Sequence, residues 1–444
     1  MSSTDPGSPT ASDLVLRPAT EEDARALAEV HLASRRAAVP AMPPSVHTDE
    51  ETMGWVAGWL AGDAEVWVAE AAGRPVGYAR LTAGWLDDLY VRPEAARQGV
   101  GSALLELVKS LRPGGFALWV FESNEPARRF YRRRGLVELE HTDGSDNEER
   151  APDLRMAWPG EDPVGYLRSQ VDEVDDDLAK SLARRAALTA AIQGYKPVPG
   201  HAGRDPDREA EIAARMARHA PELGEPGLRR IMHEVITVSL DAYARAATIA
   251  AYDADADRYA EGTSGPLPLQ VVRLHDDLAA RLPEGSEVLE IGSGPGRDAR
   301  ALEERGLRVR RTDVTPAFVE RLRVQGYDAD VLDPLRDDLG GPYDGVYANA
   351  VLLHLSPDEC TETLRRLRAA TRTGGPLALT LKEGEGGGWS THGDVRGARH
   401  FTYWRAEELR EALTAAGWVV DRLDVLPPGG RSPQRWLHVV ATAG

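Results

Sequence analysis

Two cations interrupt an apolar helical pattern near the middle of the chain. Between Val164 and Ile192, apolar or small residues recur every three or four positions, which is the spacing of one face of a long helix. Arg185 and Lys196 stand where that spacing calls for apolar side chains. A buried cation without a partner costs free energy, and a bound anion removes that cost. The pattern therefore predicts an anionic small-molecule ligand at this helix.

The spacing of the cations limits which of them can share a ligand. Arg185 and Lys196 are eleven residues apart, so on one helix they share a face and lie roughly 16 Å apart, within joint reach of a small molecule. Arg168 lies seventeen residues before Arg185, roughly 25 Å away and about 100° off the apolar stripe. It is either a surface cation or part of an equivalent site on a second copy of the helix. The stripe needs a partner in both cases.

Two further helices are predicted after this one. A turn rich in Gly, Pro and His follows Lys196, and Asp205 then has the character of an N-cap, with Pro206 as the first helical residue. The next helix is predicted from about Gly227 to Ala250. Three helices would then surround one cationic pocket. The polar side chains that the second and third helices would bring to this pocket are Asp205, Arg208, Glu209, Ser239 and Tyr243.

This segment resembles the all-helical class of chorismate mutases. The resemblance implies an all-α, three-helix protomer whose first helix is exchanged within a homodimer. It also implies the rearrangement of chorismate to prephenate, a step that needs no cofactor. The residues that carry the resemblance are Leu167-Arg168, Val171-Asp172, Val174-Asp175, Leu178, Leu182, Arg185, Leu188, Ile192, Lys196, Asp205-Pro-Asp-Arg208-Glu209 and Ser239.

The resemblance assigns the cations to the charges of the substrate. Arg185 and Arg168 of the partner subunit would bind the two carboxylates through bidentate hydrogen bonds. Arg208 would support their orientation, and Lys196 would contact the ether oxygen as negative charge develops there. The predicted site therefore consists of positioned donors instead of a nucleophile.

The remaining polar residues would complete the pocket. Asp205 and Glu209 would hold the ring hydroxyl of the substrate. One turn after Ser239, the family commonly has Gln or Glu as a second contact to the ether oxygen, whereas this chain has Tyr243. A phenol still donates a hydrogen bond but is bulkier, which leaves chorismate and a relative such as aminodeoxychorismate open as substrates. The alternative is that these helices are a non-catalytic dimerisation module, or a ligand-sensing module that controls the flanking enzymes.

A glycine turn in the first third of the chain predicts a second anion site. Residues 97–102 follow a predicted strand and open a helix, so their backbone N–H groups face an anion at a helix N-terminus. Together with the run from Asn124 to Leu136, this region resembles the acyl-CoA-dependent N-acetyltransferases of the GNAT superfamily, with an α+β fold and acetyl-CoA as the cofactor. The backbone amides that would cradle the CoA pyrophosphate belong to Gln98, Gly99, Val100, Gly101 and Ser102.

The same resemblance positions the acetyl group. The strand from Leu89 to Val91 would pair with the pantetheine arm, Asn124 and Tyr131 would lie near the thioester, and Tyr131 would protonate the departing thiolate. Asp87 and Asp88 are either general bases for the acceptor amine or solvated loop carboxylates. The acyl acceptor is not identified by the sequence. Trp55, Trp59 and Trp85 are predicted either to line its pocket or to pack in the core.

A third glycine-rich loop follows an apolar strand in the last part of the chain. Glu290, Gly292, Gly294 and Gly296 alternate with other residues at the end of this strand, and Asp313 follows at the end of the next. The dinucleotide fingerprint needs a further glycine where this chain has Arg297, which weakens a nicotinamide assignment. The pattern instead resembles the class I S-adenosylmethionine-dependent methyltransferases, which have an α/β, Rossmann-like fold.

This resemblance implies a cofactor site at the ends of the strands. In the motif that begins at Glu290, the three glycines would contact the methionine end of S-adenosylmethionine. Asp313 would contact the ribose, and Asp333 would lie on the adenine side. Asn349 or His354 would form the floor near the methyl group, and His354 would be either a base or a structural residue. Residues 384–404 are either a loop over the methyl acceptor or an ordinary connection. The acceptor is not identified by the sequence.

Length and composition set the frame for these sites. The 444 residues fit about three domains, predicted as residues 14–159, 160–250 and 251–444 after a disordered leader at residues 1–13. A net charge of −18 argues against nucleic-acid or anionic-membrane partners. Cys360 is the single cysteine, so we expect no disulfide framework, no metal site and a cytoplasmic location. The sequence thus predicts a dimeric multifunctional enzyme of aromatic or specialised metabolism, with small-molecule acyl and methyl acceptors.

Overall fold

The computed structural model describes residues 14–62, 64–196, 201–428 and 434–444. They form two compact units, the first ending at Ala179 and the second beginning at Lys180. The predicted leader at residues 1–13, and residues 197–200 of the predicted turn after Lys196, lie outside the described residues.

The first unit is built around one mixed sheet. Its elements in chain order are β1 (Leu14–Pro18), α1 (Ala24–Ala38), α2 (Asp49–Ala61), β2 (Glu65–Ala71), β3 (Arg74–Thr82), β4 (Trp85–Val91), α3 (Val100–Leu111), β5 (Phe116–Phe121), α4 (Glu125–Arg132), β6 (Val137–Thr142) and β7 (Asp153–Trp158). The seven strands are ordered β1-β2-β3-β4-β5-β7-β6. Apolar side chains of the sheet and of α3 form the largest core cluster of this unit.

One pair of neighbouring strands in this sheet barely touches. Strands β4 and β5 are parallel and pair only at Trp85 and Ala117, whereas the other neighbours in the sheet pair antiparallel over most of their length. Beyond that single pair the two strands diverge. The backbone groups of β4 that face this gap are therefore left without a neighbouring strand.

Helix α5 (Pro163–Tyr195) runs across the division between the units, and it confirms the long helix predicted from the apolar stripe. The stripe faces outward in this chain: Val171, Val174, Leu178 and Leu188 each expose more than half of their surface. Isolated apolar residues on a surface are ordinary, whereas a continuous row of them is a feature of interaction surfaces.

The second unit begins with the rest of the helical segment and continues into an α/β sheet. Its further elements are α6 (Pro206–Met216), α7 (Gly224–Ala254), α8 (Ala256–Gly262), α9 (Leu269–Ala279), β8 (Glu287–Ile291), α10 (Arg297–Glu303), β9 (Arg308–Asp313), α11 (Pro316–Val324), β10 (Ala329–Val331), β11 (Gly345–Asn349), α12 (Pro357–Ala369), β12 (Pro376–Glu383), β13 (Gly387–Ser390), β14 (Arg399–Trp404), α13 (Ala406–Ala415), β15 (Trp418–Leu426) and β16 (Trp436–Ala443).

The sheet of the second unit is parallel at its centre. Strands run in the order β10-β9-β8-β11-β12, all parallel, and β16 joins antiparallel to β12. Strands β8, β11 and β12 are almost wholly buried, as expected of parallel strands covered by helices on both faces. The carboxyl ends of the parallel strands lie at one edge, which is where such sheets bind ligands.

The three predicted fold types are confirmed: an α+β domain, a helical region with a long first helix, and a Rossmann-like α/β domain. One helix differs from its predicted extent, because α7 runs from Gly224 to Ala254 and not from Gly227 to Ala250. The longer α7 reaches into the α/β domain. None of the helices in the described parts of the chain is both long and apolar enough to cross a membrane.

Candidate active sites

The gap between β4 and β5 forms the first candidate site. Leu89 on β4, Asn124 and Tyr131 line one cavity there, so the residues predicted for the pantetheine arm and for the thioester lie close together. Asn124 caps helix α4, its Oδ1 accepting from the backbone N–H of Ala127 at 3.3 Å. Burial raises the pKa of Tyr131 well above its ordinary value, so its phenol stays protonated and can donate a proton.

The carboxylates in this cavity are not simply solvated. Asp87 and Asp88 both line it, and the Asp88 side chain is only 10 % exposed. Burial raises the pKa of both carboxyl groups, against the opposing charge of Arg80. The Arg80 guanidinium lies 2.5 Å from Asp88 and 3.8 Å from Asp87. Asp87 therefore has the looser ion pair, and it is the better placed of the two to accept a proton.

The predicted tryptophans behave differently from one another. Trp59 carries the Arg80 guanidinium over its ring at 4.6 Å, Trp85 stacks on Trp119 at 6.2 Å, and Trp55 is 41 % exposed. None of the three predicted tryptophans is among the residues that line the cavity. Trp119, on β5, does line it.

The glycine turn before α3 is built as an anion-binding N-terminus. Gly99 is the N-cap of α3 with φ 90°, a left-handed conformation that glycine adopts without strain. A Cβ at Gly101 would contact Leu89 and Val91 at 3.7 and 3.6 Å, so the helix packs closely against β4. Two side chains of the turn are engaged nearby: Gln98 donates to the carbonyl of Glu94 at 2.9 Å, and the Ser102 hydroxyl accepts from Arg134. The first backbone N–H groups of α3, from Val100 onward, remain for an anion.

Arg185 is the centre of the second candidate site. Its Nη1 is buried and has no hydrogen-bond partner among the described residues. Burial lowers the pKa of Arg185, and the nearby charge of Glu209 opposes that effect. A guanidinium that gives up water without gaining a full set of acceptors is a ready site for a carboxylate.

Glu209 already has a partner that the sequence did not predict. Arg204 donates to both of its carboxylate oxygens, at 2.8 and 2.7 Å, and this pair lowers the pKa of Glu209. Arg204 also donates to Thr237 on α7 at 3.0 Å, which ties the start of α6 to that helix. Arg204 directly precedes Asp205, the predicted N-cap. This place next to the start of α6 is the only sign in the sequence that it could pair with a residue of that helix.

The other predicted residues of the helical site are not all brought together. Lys196 donates to the carbonyl of Gly203 at 2.6 Å, beside the Arg204 pair. Asp205 caps α6 by accepting from the Arg208 N–H at 3.0 Å. The Arg208 side chain is exposed and pairs with Glu211 at 2.9 Å.

Arg168 and the α7 residues complete the account of this site. Arg168 is exposed and lies in the first unit. Ser239 is buried, and its hydroxyl donates to the carbonyl of Val235 at 2.6 Å. Tyr243 lies one turn further along α7 and packs against Trp389, with 5.7 Å between ring centroids.

The glycine loop after β8 forms the third candidate site. Gly292, Gly294 and Gly296 have φ angles of 72°, 49° and 75°. A Cβ at Gly292 would lie 2.4 Å from Val351, whereas a Cβ at Gly294 would meet only Tyr259, at 4.0 Å. Gly292 and Gly294 line the cavity at the strand ends, so the loop allows a ligand to approach its backbone.

Two acidic residues, Asp313 and Glu290, accept hydrogen bonds from this loop. Asp313 lines the cavity and accepts from the backbone N–H groups of Gly294 and Thr315, each at 2.8 Å. Glu290 is 1 % exposed, accepts from the Ser293 hydroxyl and does not line the cavity. Burial, followed by the charge of Asp298, raises the pKa of Glu290 to about 8. Glu290 therefore supports the loop through Ser293.

The cavity at the strand ends brings together the other predicted residues. Asp333, Asn349 and His354 line it. The Asn349 amide donates to Asp298 at 3.0 Å and accepts from Thr380 at 2.7 Å, which fixes its orientation.

The ring of His354 is held on both sides. Its Nδ1 lies 2.7 Å from the carbonyl of His400, and its Nε2 lies 3.1 Å from the Tyr252 hydroxyl. Burial lowers the pKa of His354 to about 3. A neutral ring with both nitrogens in use favours the structural alternative over a catalytic base.

Helix α7 forms one wall of this cavity, which the sequence did not predict. Arg245, Thr248 and Tyr252 line it from α7. Arg245 lies 3.7 Å from Asp333 and 3.6 Å from Glu359. Only Tyr252 lies in the four residues by which α7 extends past Ala250; the contacts of Arg245 and Thr248 depend on the path of the helix along the sheet edge, which no local pattern reveals.

A second cavity adjoins the first across the glycine loop. Both are lined by Tyr259, Gly292, Gly294, Asn349 and Ala350. The residues that line the second cavity but not the first include Pro268, Val271, Leu426, Trp436 and His438. No residue from 384–404 lines either cavity; this segment instead forms the β13–β14 hairpin, which packs on α7.

Three family models match the chain at these three places. They are the acetyltransferase (GNAT) domain at residues 62–138, chorismate mutase type II at residues 167–242, and a methyltransferase domain at residues 266–423. The three matches follow one another along the chain without overlapping.

Curated relatives match the first region. The chain is similar to the peptidyl-lysine N-acetyltransferase YiaC of Escherichia coli K12, with 33 % identity over 100 residues that cover 22 % of this chain and 65 % of the relative. It is also similar to the peptidyl-lysine N-acetyltransferase YjaB of Salmonella typhimurium, with 32 % identity over 98 residues that cover 22 % of this chain and 67 % of the relative. The chain thus spans about two thirds of the length of these relatives.

Solved structures match the first and third regions. The apo form of Escherichia coli YjaB matches with a TM-score of 0.29 and 27 % identity, covering 33 % of this chain and 98 % of that one. The Burkholderia thailandensis 1,6-didemethyltoxoflavin-N1-methyltransferase, with bound 1,6-didemethyltoxoflavin and S-adenosylhomocysteine, matches with a TM-score of 0.36 and 23 % identity, covering 45 % and 86 %. The CcbJ methyltransferase of Streptomyces caelestis matches with a TM-score of 0.35 and 20 % identity, covering 43 % and 96 %.

Proposed function

This chain belongs to the GNAT acetyltransferases and carries a type II chorismate mutase domain and a methyltransferase domain in the same polypeptide, and we propose that all three domains are catalytic. The central domain rearranges chorismate to prephenate, the first acetylates an amine, and the last methylates a small molecule. The chemistry of the central domain suggests a place in aromatic or specialised metabolism. The observation that carries the mutase proposal is the buried Nη1 of Arg185, which has no hydrogen-bond partner in the part of the chain that the structure describes.

The rearrangement asks for positioning and charge stabilisation only. A carbon–oxygen bond breaks as a carbon–carbon bond forms within one molecule, so no nucleophile and no cofactor are needed. Arg185 and Arg168 of the partner subunit bind the two carboxylates. Lys196, beside the same cluster, donates to the ether oxygen as charge develops there. Glu209, held by Arg204, accepts the ring hydroxyl.

Asp205 supports this site at the start of α6, and Ser239 supports it on α7. The position of Arg208 fits the site less well. Asp205 fixes the start of α6, from which Glu209 projects. Ser239 is a buried residue in the middle of α7, one turn before Tyr243. Arg208 pairs with Glu211 on the surface, so any contact with substrate requires that pair to open.

The exposed apolar stripe of α5 supports a homodimer. Exchange of this helix between two copies would cover Val171, Val174 and Leu178, which are more than half exposed in one chain. It would also explain why Arg168 lies so far along the helix from Arg185. The site is complete only in the dimer.

Acetyl transfer is supported by the fit of acetyl-CoA to the first unit. The diverging strands leave backbone groups of β4 free to pair with the pantetheine amides, and the start of α3 offers N–H groups to the pyrophosphate. Acetyl-CoA supplies the acetyl group. Asp87 takes a proton from the acceptor amine, and Tyr131 gives a proton to the departing thiolate. The acidic cavity favours a cationic amine, and a lysine side chain is the acceptor class we propose.

Methyl transfer is supported by the glycine loop and the two adjoining cavities. The open space above Gly294 fits close approach of a cofactor to the backbone, Asp313 is placed for the ribose hydroxyls, and Asp333 for the adenine side. S-adenosylmethionine supplies the methyl group. Asn349 borders both cavities, so the acceptor enters from the second one. We also propose a cytoplasmic location, because Cys360 is a single, buried thiol.

The first experiment is chorismate turnover by the purified full-length protein, without coenzyme A or S-adenosylmethionine. We expect chorismate to disappear and prephenate to form at the same rate. No turnover by a folded dimer would overturn the mutase proposal and favour the non-catalytic alternative, in which the helices dimerise the chain or sense a ligand. Aminodeoxychorismate, assayed in parallel, tests whether Tyr243 has changed the substrate.

A further inference from the structure

A hairpin of the methyltransferase domain is fixed onto a helix of the mutase domain. Strand β14 pairs with β12 at Lys382–Tyr403 and Glu383–Trp404, so the β13–β14 hairpin belongs to the α/β sheet. The backbone N–H of His400 donates to the Thr248 hydroxyl on α7 at 2.9 Å. The hairpin also approaches α7 so closely at Gly397 that a Cβ there would lie 2.6 Å from Ala251.

Trp389 is the hairpin residue that reaches toward the mutase site. It lies opposite His400 in the hairpin, and the two rings meet edge to face at 5.4 Å. Its other ring contact is Tyr243, at 5.7 Å and an interplanar angle of 53°. Trp389 therefore connects a strand anchored in the methyltransferase sheet with the residue one turn after Ser239.

The Tyr243 side chain is half-buried and packs on Trp389. Within the described residues its hydroxyl makes no hydrogen bond. A tyrosine side chain is longer and bulkier than the Gln or Glu that chorismate mutases commonly have here, so it must be held in one orientation to donate to a small substrate. Contact between two aromatic rings at this distance and angle restricts the orientation of both.

We propose that Trp389 is a positioning residue of the mutase site, which holds the Tyr243 ring so that its hydroxyl donates to the ether oxygen of the substrate. The proposal rests on the mutase function proposed above. It makes the methyltransferase hairpin a structural part of the mutase: the helical domain alone would lack one wall of its site. Trp389 does not itself touch the reacting atoms.

The test is a set of full-length variants assayed for kcat and KM with chorismate. We expect Trp389→Ala to lower kcat about 10-fold with little change in KM, because the contact it supports is made to charge that develops in the transition state. Trp389→Phe keeps a ring against Tyr243 and should recover most of the loss. Thr391→Ala, an exposed position in the same hairpin connection, is the matched control and should match the wild type.

A second series separates positioning from general damage. In a Tyr243→Gln background there is no phenol to hold, so adding Trp389→Ala should have little further effect on kcat. Binding of S-adenosylhomocysteine, measured by calorimetry, should stay within about twofold of the wild type in Trp389→Ala, a change of only about 0.4 kcal/mol.

Three outcomes would overturn the proposal. They are an unchanged kcat in Trp389→Ala, the same loss with and without Tyr243, or a parallel loss of S-adenosylhomocysteine binding. A wild-type protein without turnover would overturn the mutase function itself, and so is distinguishable from failure of the positioning role alone.

Discussion

Arg185 owes its chemistry to what surrounds it. Its position in an apolar stripe predicted a cation in need of an anion, and the structure leaves its buried Nη1 without a partner among the described residues. Glu209 is close enough to raise the pKa of Arg185 against the effect of burial, and Arg204 donates one hydrogen bond to each oxygen of the same carboxylate. An incoming carboxylate therefore finds a donor that the protein has not satisfied.

Replacing this side chain should remove mutase activity without unfolding the helix. We expect Arg185→Ala to lower kcat/KM for chorismate at least about 100-fold, the usual cost of losing one charge-stabilising donor in an active site. Arg184→Ala removes the neighbouring, exposed guanidinium and serves as the control. Equal activities of the two variants would contradict the role given to Arg185.

Glu290 should leave a signature in the pH dependence of stability. The folded protein holds its proton up to about pH 8, whereas an unperturbed glutamate releases it near 4.5. Between these values the folded state binds more protons than the unfolded chain, so the stability that this group contributes falls as pH rises. In Glu290→Gln, thermal unfolding of the full chain should lose part of this decline between about pH 5 and 8.

The control for this prediction lies on the same strand. Glu287 begins β8 and is exposed, so Glu287→Gln should keep the wild-type dependence of the unfolding temperature on pH. The prediction fails if Glu290→Gln and the wild type lose stability equally over this range.

At the scale of elements, local patterns predicted more than long-range ones. The stripe of α5 and the glycine turns before α3 and after β8 depend on residues close in sequence, and they appear where they were predicted. The pairing of Arg204 with Thr237 and the contact of Tyr243 with Trp389 join residues far apart in sequence. No spacing rule reveals such contacts.

Arg208 shows a second limit of prediction from the sequence. The resemblance implied that it supports the orientation of the substrate carboxylates, whereas its side chain in the structure is exposed and pairs with Glu211, three residues along the same helix. A motif fixes which residue types occur at which positions. It does not fix which of several nearby partners a flexible side chain selects in one chain without its substrate.

The exposed face of α5 predicts how the chain associates. Leu178→Glu places a charge in the apolar stripe, and burial of a leucine is worth about 1.5–3 kcal/mol, counted twice in a symmetric dimer. We expect light scattering with size-exclusion chromatography to show a shift from dimer to monomer. Mutase activity should fall with it, because Arg168 would no longer reach a second copy.

Asp176→Lys, off the stripe on the same helix, is the control for association and should stay dimeric. A Leu178→Glu protein with the wild-type mass would contradict dimerisation through this face.

At the scale of the whole molecule, α7 belongs to two sites. Its Ser239 and Tyr243 lie on the mutase side, whereas Arg245, Thr248 and Tyr252 line the cavity beside the glycine loop. His354 at that cavity is bound to the backbone of His400, whose ring contacts Trp389. A ligand that orders one end of this arrangement reduces the cost of ordering the other.

Binding at the methyltransferase should therefore change the mutase. We expect saturating S-adenosylhomocysteine to lower the KM for chorismate by roughly fivefold, the lower end of the coupling commonly found between two sites. In Gly292→Ala, a Cβ would clash with Val351 at 2.4 Å on a backbone with φ 72°, so the effector should not bind and its effect should vanish. An effector-independent KM in the wild type would contradict this coupling.

Helix α7 also limits how such a chain can change by recombination. Domains joined by a free linker can be exchanged by a crossover anywhere within that linker, and each keeps its own site intact. A crossover within α7 would replace either its first or its second part by the helix of another protein. In one case the cavity beside the glycine loop would lose its own lining residues, and in the other Trp389 would lose Tyr243 as its partner. The mutase and methyltransferase parts of the coding sequence would thus be inherited and replaced together. The acetyltransferase domain, which ends before α5, is under no such constraint from this helix.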